Sequence, residues 1–440
     1  MEIEAWLERA ASRTPGRVAI ETPDVSATYG ELLALARVGA ARLLELGVER
    51  GDRVAIALPP GLAFAQALHA CLLLGAVAVP VDLRLASAER ERVAAGAEVL
   101  VEEPLPQQGR SGGPPARHDL DASALIVHTS GTTSAPRPVR LSYANLLWSA
   151  LGSGVALGSD PDERWLCAMP LSHVGGLSIL IRSAISGTTA VVHERFETDR
   201  VLAALRDERV TLVSLVATTL GRLLDAGLER PPALRCALTG GGPVPAALVR
   251  RAALAGVPVS LTYGLTETCS QVTTTPLSEA HAGRPTAGPP LFCTVVDLAA
   301  DGEILVAGPT VAPSATLQEG WLATGDLGEL DERGRLQVLG RKADTIVTGG
   351  ENVAPAEVEA VIEAHPDVLE AAVVGRADED WGESLFAWVV PRPGARLDPA
   401  DLAAHCRRSL AGYKVPKGWT ARDQPLPRTA SGKLLRRELA

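Results

Sequence analysis

The chain has 440 residues, enough for more than one domain and for a sizeable core. Hydrophobic residues make up 46% and aromatics only 3%, so the interior must be built largely from Ala, Val and Leu. Lys and Arg number 42 against 52 Asp and Glu; a formal charge of −10 argues against nucleic acid as a partner and for a soluble protein. The cysteines (Cys71, Cys167, Cys236, Cys269, Cys293, Cys406) are scattered without a C-x-x-C pair and read as reduced core or site-wall residues of a cytoplasmic protein. Residues 1–9 lack the basic start and apolar run of a signal peptide.

In chain order, the apolar spacing predicts a helix over 30–46 stopped by Gly47, a strand over 54–58, a helix over 62–74 and a strand over 77–81. The stretch 64–81 has the apolar length of a membrane span. Gln66 and His69 interrupt it and Gly75 breaks it, so a buried helix and strand fit better, with no integral membrane partner. Residues 107–115 turn to Gln, Gly, Ser and Pro, an exposed loop expected to join two halves. A strand over 125–128 follows, then a helix over 200–209, strands over 212–216 and 234–238, and a helix over 245–255. This is the rhythm of a doubly wound α/β domain. After Gly288, strands over 295–297, 302–306 and 336–339 with Asp-Gly and Arg-Gly turns suggest a small antiparallel or barrel-like unit. From Arg341 a helix over 355–364, strands over 371–374 and 386–390 and a helix over 399–410 suggest a small α+β domain. The expected domains are 1–340 and 341–440.

Several segments carry groups suited to chemistry. Thr129-Ser130-Gly131-Thr132-Thr133-Ser134-Ala135-Pro136-Arg137 follows an apolar strand. Its glycine admits close backbone approach to an anion, and its hydroxyls are neutral donors, as in a polyphosphate cradle; taken alone, a solvated connector has the same pattern, and without Gly-Lys-Ser/Thr it is not a Walker loop. Tyr263-Gly264-Leu265-Thr266-Glu267-Thr268 puts a carboxylate after a strand, suited to Mg²⁺, which takes one or two carboxylates and fills its other positions with water and phosphate oxygen. An ordinary turn with an exposed acid has the same local pattern. Thr324-Gly325-Asp326 is read as a tight turn whose acid can accept ribose hydroxyls, or as a plain Asx-turn. His173, in Pro170-Leu171-Ser172-His173-Val174-Gly175-Gly176-Leu177, is either a structural histidine or, next to glycines at a strand end, a candidate to gate or orient a carboxylate. Lys433, on the Ser-Gly turn of Pro427-Arg428-Thr429-Ala430-Ser431-Gly432-Lys433, is either a solvated tail residue or a cation for a developing negative charge.

Six segments in this order resemble the adenylate-forming superfamily of acyl-CoA synthetases, luciferases and adenylation domains: 129–137, 170–177, 240–245, 263–268, 324–326 with 340–355, and 427–433. The resemblance implies a large N-terminal domain and a small mobile C-terminal domain. It also implies two half-reactions, in which a carboxylic acid and ATP form an acyl-AMP and a thiol such as coenzyme A then displaces AMP. By position it implies Thr129, Ser130, Gly131, Thr132, Thr133 and Arg137 on the phosphates, and Gly240, Gly241, Gly242, Tyr263 and Gly264 around adenine. Thr266 then meets the α-phosphate, Glu267 holds Mg²⁺, and Asp326 and Arg341 take the ribose. Lys433 serves adenylation with Glu267 and His173 as catalytic partners. His173, Gly241, Ser270 and Gln271 are candidates for the acid pocket, and Gly349, Gly350 and Glu351 for the loop facing CoA. The phrases Pro-Leu-Ser-His-Val-Gly-Gly-Leu and Tyr-Gly-Leu-Thr-Glu-Thr-Cys-Ser-Gln, the compact length and Ala343 are similar to the o-succinylbenzoate–CoA ligases of menaquinone synthesis. Other aryl- or acyl-CoA ligases, a carrier-protein-loading enzyme and an inactive nucleotide-binding relative remain alternatives; a homodimer is compatible. Ser134 and Arg137 stand where the superfamily usually has glycine and lysine, which bears on the efficiency of the phosphate loop.

Overall fold

The structure is a computed structural model and describes residues 1–110, 116–129, 137–207, 209–316, 320–428 and 434–439. Two largely parallel sheets form its larger part. The first has five strands in the order Val99–Val101, Arg53–Ile56, Val77–Pro80, Ser123–Thr129 and Arg137–Ser142, the last antiparallel. The second has eight, in the order Thr273–Thr274, Val259–Tyr263, Cys236–Thr239, Leu212–Leu215, Arg164–Cys167, Thr189–Val192, Val18–Glu21 and Ser26–Thr28, parallel except at its two edges. Parallel pairing needs crossovers, and helices such as Thr198–Asp207 and Ala246–Leu254 supply them.

Local chemistry sets the element ends. Helix Tyr29–Glu45 begins with Thr28 and Glu31 in a capping box: the Thr28 N–H donates to Glu31 Oε2 at 2.8 Å and the Glu31 N–H to Thr28 Oγ1 at 3.3 Å. Helix Leu62–Leu74 is buried on most of its circumference and ends at Gly75 in the left-handed region. Within it the Gln66 amide donates to the carbonyls of Leu35 and Pro106, which satisfies a polar group in an apolar setting. Among the described residues, no helix is long and apolar enough to cross a membrane. All six cysteines are buried and free.

The expected division at 107–115 is not what the sheets show. The strands before and after that loop, Val99–Val101 and Ser123–Thr129, lie in the same five-stranded sheet. Strand Val18–Glu21, from the start of the chain, instead completes the eight-stranded sheet beside Thr189–Val192. Residues 111–115 lie outside the described residues.

A four-stranded antiparallel sheet follows, built from Val295–Leu298, Glu303–Ala307, Leu322–Leu330 and Leu336–Arg341. Its buried Ile304, Val306 and Leu336 pack with Tyr263 and Val272 of the larger part. The last sheet orders Glu351–Val353, Ile346–Thr348, Gly382–Pro391 and Val368–Asp378, with Gly418–Ala421 parallel to Gly382–Pro391. Helices Pro355–Glu363 and Pro399–Arg407 join it around a separate cluster in which Ile346, Val358, Val389 and Leu402 are buried.

Candidate active site

In the eight-stranded sheet the chain passes from Arg164–Cys167 to Thr189–Val192 on one side, then crosses back to Leu212–Leu215 on the other. Such a reversal opens a crevice at the carboxyl ends of the strands, where ligands of open α/β sheets bind. The sequence motifs fall there. The segment with His173 follows Cys167, Gly240 to Gly242 follow Thr239, and Tyr263 to Glu267 end and follow Val259–Tyr263. Asp82 and Arg84 follow strand Val77–Pro80 of the other sheet, and Thr129 ends its strand Ser123–Thr129.

His173 joins the two sheets. Arg84 grips Asp82 with both arms of its fork, Nε to Oδ1 at 2.9 Å and Nη2 to Oδ2 at 2.6 Å. The same Nη2 is 3.2 Å from His173 Nε2, and Asp82 Oδ2 is 3.7 Å from it. Burial opposes ionisation of Asp82, but the Arg84 hydrogen bonds and charge outweigh it and hold the carboxyl below its usual range.

Tyr263, Asp326 and Arg341 interlock. The Tyr263 hydroxyl donates to Asp326 Oδ2 at 2.7 Å, and Arg341 Nε is 2.8 Å from Asp326 Oδ1. Burial, then the adjoining carboxylate, push the Tyr263 hydroxyl well above its ordinary pKa, so it stays a donor. Asp326 lies within strand Leu322–Leu330 and not in a tight turn. Gly325, at φ 71°, takes a conformation that side chains resist, and the ladder to Leu336–Arg341 is irregular at Leu327 and Gly328. A turn-like triplet is thus absorbed into a bulged strand.

The segment 264–271 folds tightly on itself. A Cβ at Gly264 would lie 1.5 Å from the Ser270 carbonyl oxygen, so only glycine fits. Cys269 and Ser270 hold φ of 54° and 94°, an uncommon strain for residues with side chains. Thr266 and Glu267 sit in the short 3₁₀ turn Thr266–Thr268, where the Glu267 carbonyl accepts from the Ala312 N–H at 2.7 Å. The half-buried Glu267 carboxylate has no ion-pair partner among the described residues. Gln271 is buried, donates to Thr274 Oγ1 at 2.7 Å, and keeps its carbonyl oxygen unpaired.

Arg137 is exposed and pairs in register with Thr129, whose hydroxyl donates to the Arg137 carbonyl at 3.4 Å. These two flank the proposed phosphate loop. Ser130, Gly131, Thr132, Thr133, Ser134 and Lys433 lie outside the described residues. Gly349 and Gly350, with φ of 60° and 84°, close the hairpin between Ile346–Thr348 and Glu351–Val353, and Glu351 pairs with Thr348. They belong to the last sheet, apart from the strand-end crevice.

Sequence reading missed Arg182, in helix Val174–Ser186 behind the 264–271 turn. Its guanidinium is fully buried with no carboxylate partner among the described residues, and burial lowers its pKa to about 10, still cationic at neutral pH. Nη2 donates to Ser149 Oγ at 3.1 Å, which donates to the Cys269 carbonyl at 2.6 Å, while Nε is unpaired. An arginine amid Leu-Ser-Ile-Leu-Ile was the available signal, since unpaired cations are rarely buried without purpose. Asp82 and Arg84 were also missed; their place just past a strand end was the clue.

A polar crevice at parallel strand ends, bordered by an interlocked Tyr-Asp-Arg set and a bare carboxylate, defines a nucleotide-handling enzyme. Family models agree: the AMP-binding enzyme model matches residues 7–102 and 93–314, and the AMP-binding enzyme C-terminal domain matches 357–433. The 2-succinylbenzoate–CoA ligase of Bacillus licheniformis is 38% identical, with all of both chains covered. The o-succinylbenzoate CoA synthetase of Bacillus subtilis, solved with its acyl-adenylate intermediate, superimposes with TM-score 0.91 at 37% identity over 100% of this chain and 98% of that one. The same enzyme with ATP and magnesium gives TM-score 0.91 at 37% identity, covering all of both chains. The chain belongs to the AMP-binding enzymes and, within them, to the 2-succinylbenzoate–CoA ligase family.

Proposed function

We propose that the protein joins 2-succinylbenzoate to coenzyme A using ATP, in the cytoplasm. A carboxylate oxygen attacks the α-phosphorus of ATP and pyrophosphate leaves; the CoA thiolate then attacks the acyl carbon of the acyl-AMP and AMP leaves. The carrying observation is the coincidence of a full-length match to 2-succinylbenzoate–CoA ligase with a crevice whose Tyr263, Asp326 and Arg341 are already interlocked.

The physical task is to bring two anions together and hold them in line. Tyr263 and Arg341 hold one oxygen each of the Asp326 carboxylate and so fix its orientation toward the two ribose hydroxyls. Adenine lies between Tyr263 and the Gly240–Gly242 segment, with Gly264 at its edge. Thr129 and Arg137 anchor the loop that carries Ser130, Gly131, Thr132 and Thr133 to the outer phosphates, and Thr266 meets the α-phosphate.

Among the described residues no group of three metal-ligating side chains occurs, but the unpaired Glu267 carboxylate fits a magnesium ion that arrives with phosphate and water ligands. When bound, that ion neutralises phosphate charge. Lys433 stabilises the charge that develops as the acid attacks.

The substrate carries two carboxylates, and adenylation consumes one. The other needs a countercharge, and Arg182 is a buried cation lacking one among the described residues, linked through Ser149 to the turn bearing Ser270 and Gln271. His173, held by Arg84 and Asp82, orients the reacting carboxylate, with Gly241 in the wall of the acid pocket. Gly349, Gly350 and Glu351 face CoA once the unit beginning at 341 turns toward the crevice.

Acid-dependent ATP–pyrophosphate exchange and thioester formation across a panel of aromatic and aliphatic acids test the reading. Preference for 2-succinylbenzoate in both assays is expected. Equal or greater turnover of a monocarboxylic acid overturns the substrate assignment, and absence of exchange with every acid overturns the activity.

A further inference from the structure

The five-stranded sheet is covered unevenly on one face. Helix Ser87–Ala94 packs its Val93 over Ala55, Val77 and Val79. Toward the edge strand Arg137–Ser142 the same face opens into a cavity of about 250 Å³. Strand alternation and register determine its lining: Ile126 pairs with Arg140 and His128 with Pro138, all directed to that face. Arg92 enters from the helix opposite and Arg53 from the start of its own strand.

Arg53, Arg92 and Arg140 therefore line one small concavity with an apolar floor that includes Val79 and Ile126. None of Arg53, Arg92 and Arg140 forms an ion pair or a side-chain hydrogen bond among the described residues. His128 Nδ1 is buried there without a hydrogen-bond partner. In a chain of net charge −10, acids are plentiful, yet none lines this cavity among the described residues. Like charges gathered this way repel unless an anion joins them.

We infer that this cavity is a second binding site, distinct from the strand-end crevice, for a small phosphate-bearing anion. Arginine forks match phosphate oxygens in bidentate pairs, and three of them suit a charge of two or more. The neutral imidazole of His128 can add a hydrogen bond from Nδ1. The cavity is smaller than a pocket for a whole drug-sized ligand, so it takes a phosphate group with at most one ring and not an entire ATP. His128 precedes Thr129 and Pro138 follows Arg137, so an occupant touches both strands that flank residues 130–136.

The ligase reaction offers two such anions, pyrophosphate and the 3′-phosphorylated nucleotide end of CoA. This choice of probes rests on the proposed function; the site does not. The test fills the crevice with a sulfamoyl analogue of the acyl-adenylate and then titrates inorganic pyrophosphate and 3′,5′-ADP by calorimetry. At least one probe is expected to bind the wild type, and Arg92→Gln with Arg140→Gln to weaken it by about tenfold or more. Arg92→Lys, which keeps charge but loses the fork, is expected to fall between. Both arginines are exposed at the rim, so the fold tolerates their loss. Tighter 3′,5′-ADP assigns the site to the CoA end, and tighter pyrophosphate to the released product. Failure of both probes to bind, or equal binding to wild type and double variant, overturns the site. Acid-dependent pyrophosphate exchange by the double variant reports on the ligase reading separately.

Discussion

Tyr263 links the eight-stranded sheet to the four-stranded one through a single hydroxyl on Asp326. Tyr263→Phe keeps the ring proposed to face adenine but removes the Tyr263 donor from a buried carboxylate, at a cost of about 1–3 kcal/mol. The expected result is an ATP KM raised by about tenfold in pyrophosphate exchange, with a smaller change in the KM for the acid. Equal effects on both substrates would place the hydroxyl outside nucleotide binding. Arg182 gives the complementary case. Arg182→Gln should raise the KM for 2-succinylbenzoate by about tenfold or more while leaving the ATP KM near wild type, because a buried charge pair is worth about 2–5 kcal/mol when one partner is removed. If the stability of the variant falls but the acid KM does not move, Arg182 serves only to hold Ser149 and the Cys269 carbonyl.

At the scale of elements, pH separates the last unit from the rest. Glu363 closes helix Pro355–Glu363, where burial, outweighing a hydrogen bond from the Ala371 N–H, raises its carboxyl from 4.5 to about 7. The folded form therefore holds its proton to higher pH than the unfolded chain. Stability from this group is full below pH 4.5 and declines as pH rises through about 7. Glu363→Gln should remove that decline and leave the variant more stable at pH 8, by at most about 3 kcal/mol. Thermal unfolding at pH 5 and pH 8 reads it; an unchanged difference between the two pH values would show that Glu363 titrates normally.

The elements also show what a sequence makes legible. Helix 62–74 was readable to its ends because Gly and Pro bracket a continuous apolar run. Strand Leu322–Leu330 was not, because Thr324-Gly325-Asp326 carries turn chemistry that a bulge absorbs. The placement of Val18–Glu21 in the second sheet depends on pairing with a strand some 170 residues later, which no local pattern encodes. For the site, residues on glycine-rich strand ends stood out, since backbone and ligand both constrain them. Arg182 was hidden by the apolar helix around it, and the proposal for it came from the absence of a carboxylate partner among the described residues.

For the molecule as a whole, charge holds the join between its parts. The unit from Ile346 onward has its own buried cluster, and two adjoining cations precede it where the four-stranded sheet ends. Arg341 holds Asp326, and Lys342 Nζ lies 2.6 Å from Asp301 Oδ2 and 2.8 Å from Glu303 Oε2. If one arrangement serves adenylation and a rotated one serves thioester formation, the Lys342 contacts must break in one of them. Lys342 and Asp301 are exposed and Glu303 is partly buried, so salt screens the first contact in particular, which suits a latch that can open. Lys342→Ala should therefore change the ratio of the two half-reaction rates, and raised salt should move the wild type in the same direction. On the role proposed for it, in which its charge is needed only while the acid attacks phosphorus, Lys433→Ala should slow adenylation alone and spare thioester formation from supplied acyl-AMP. Single-turnover rates for each half-reaction separate these effects. A Lys342 variant that slows both steps equally would make the contact structural, and a Lys433 variant that does so would end the division of labour between the two arrangements.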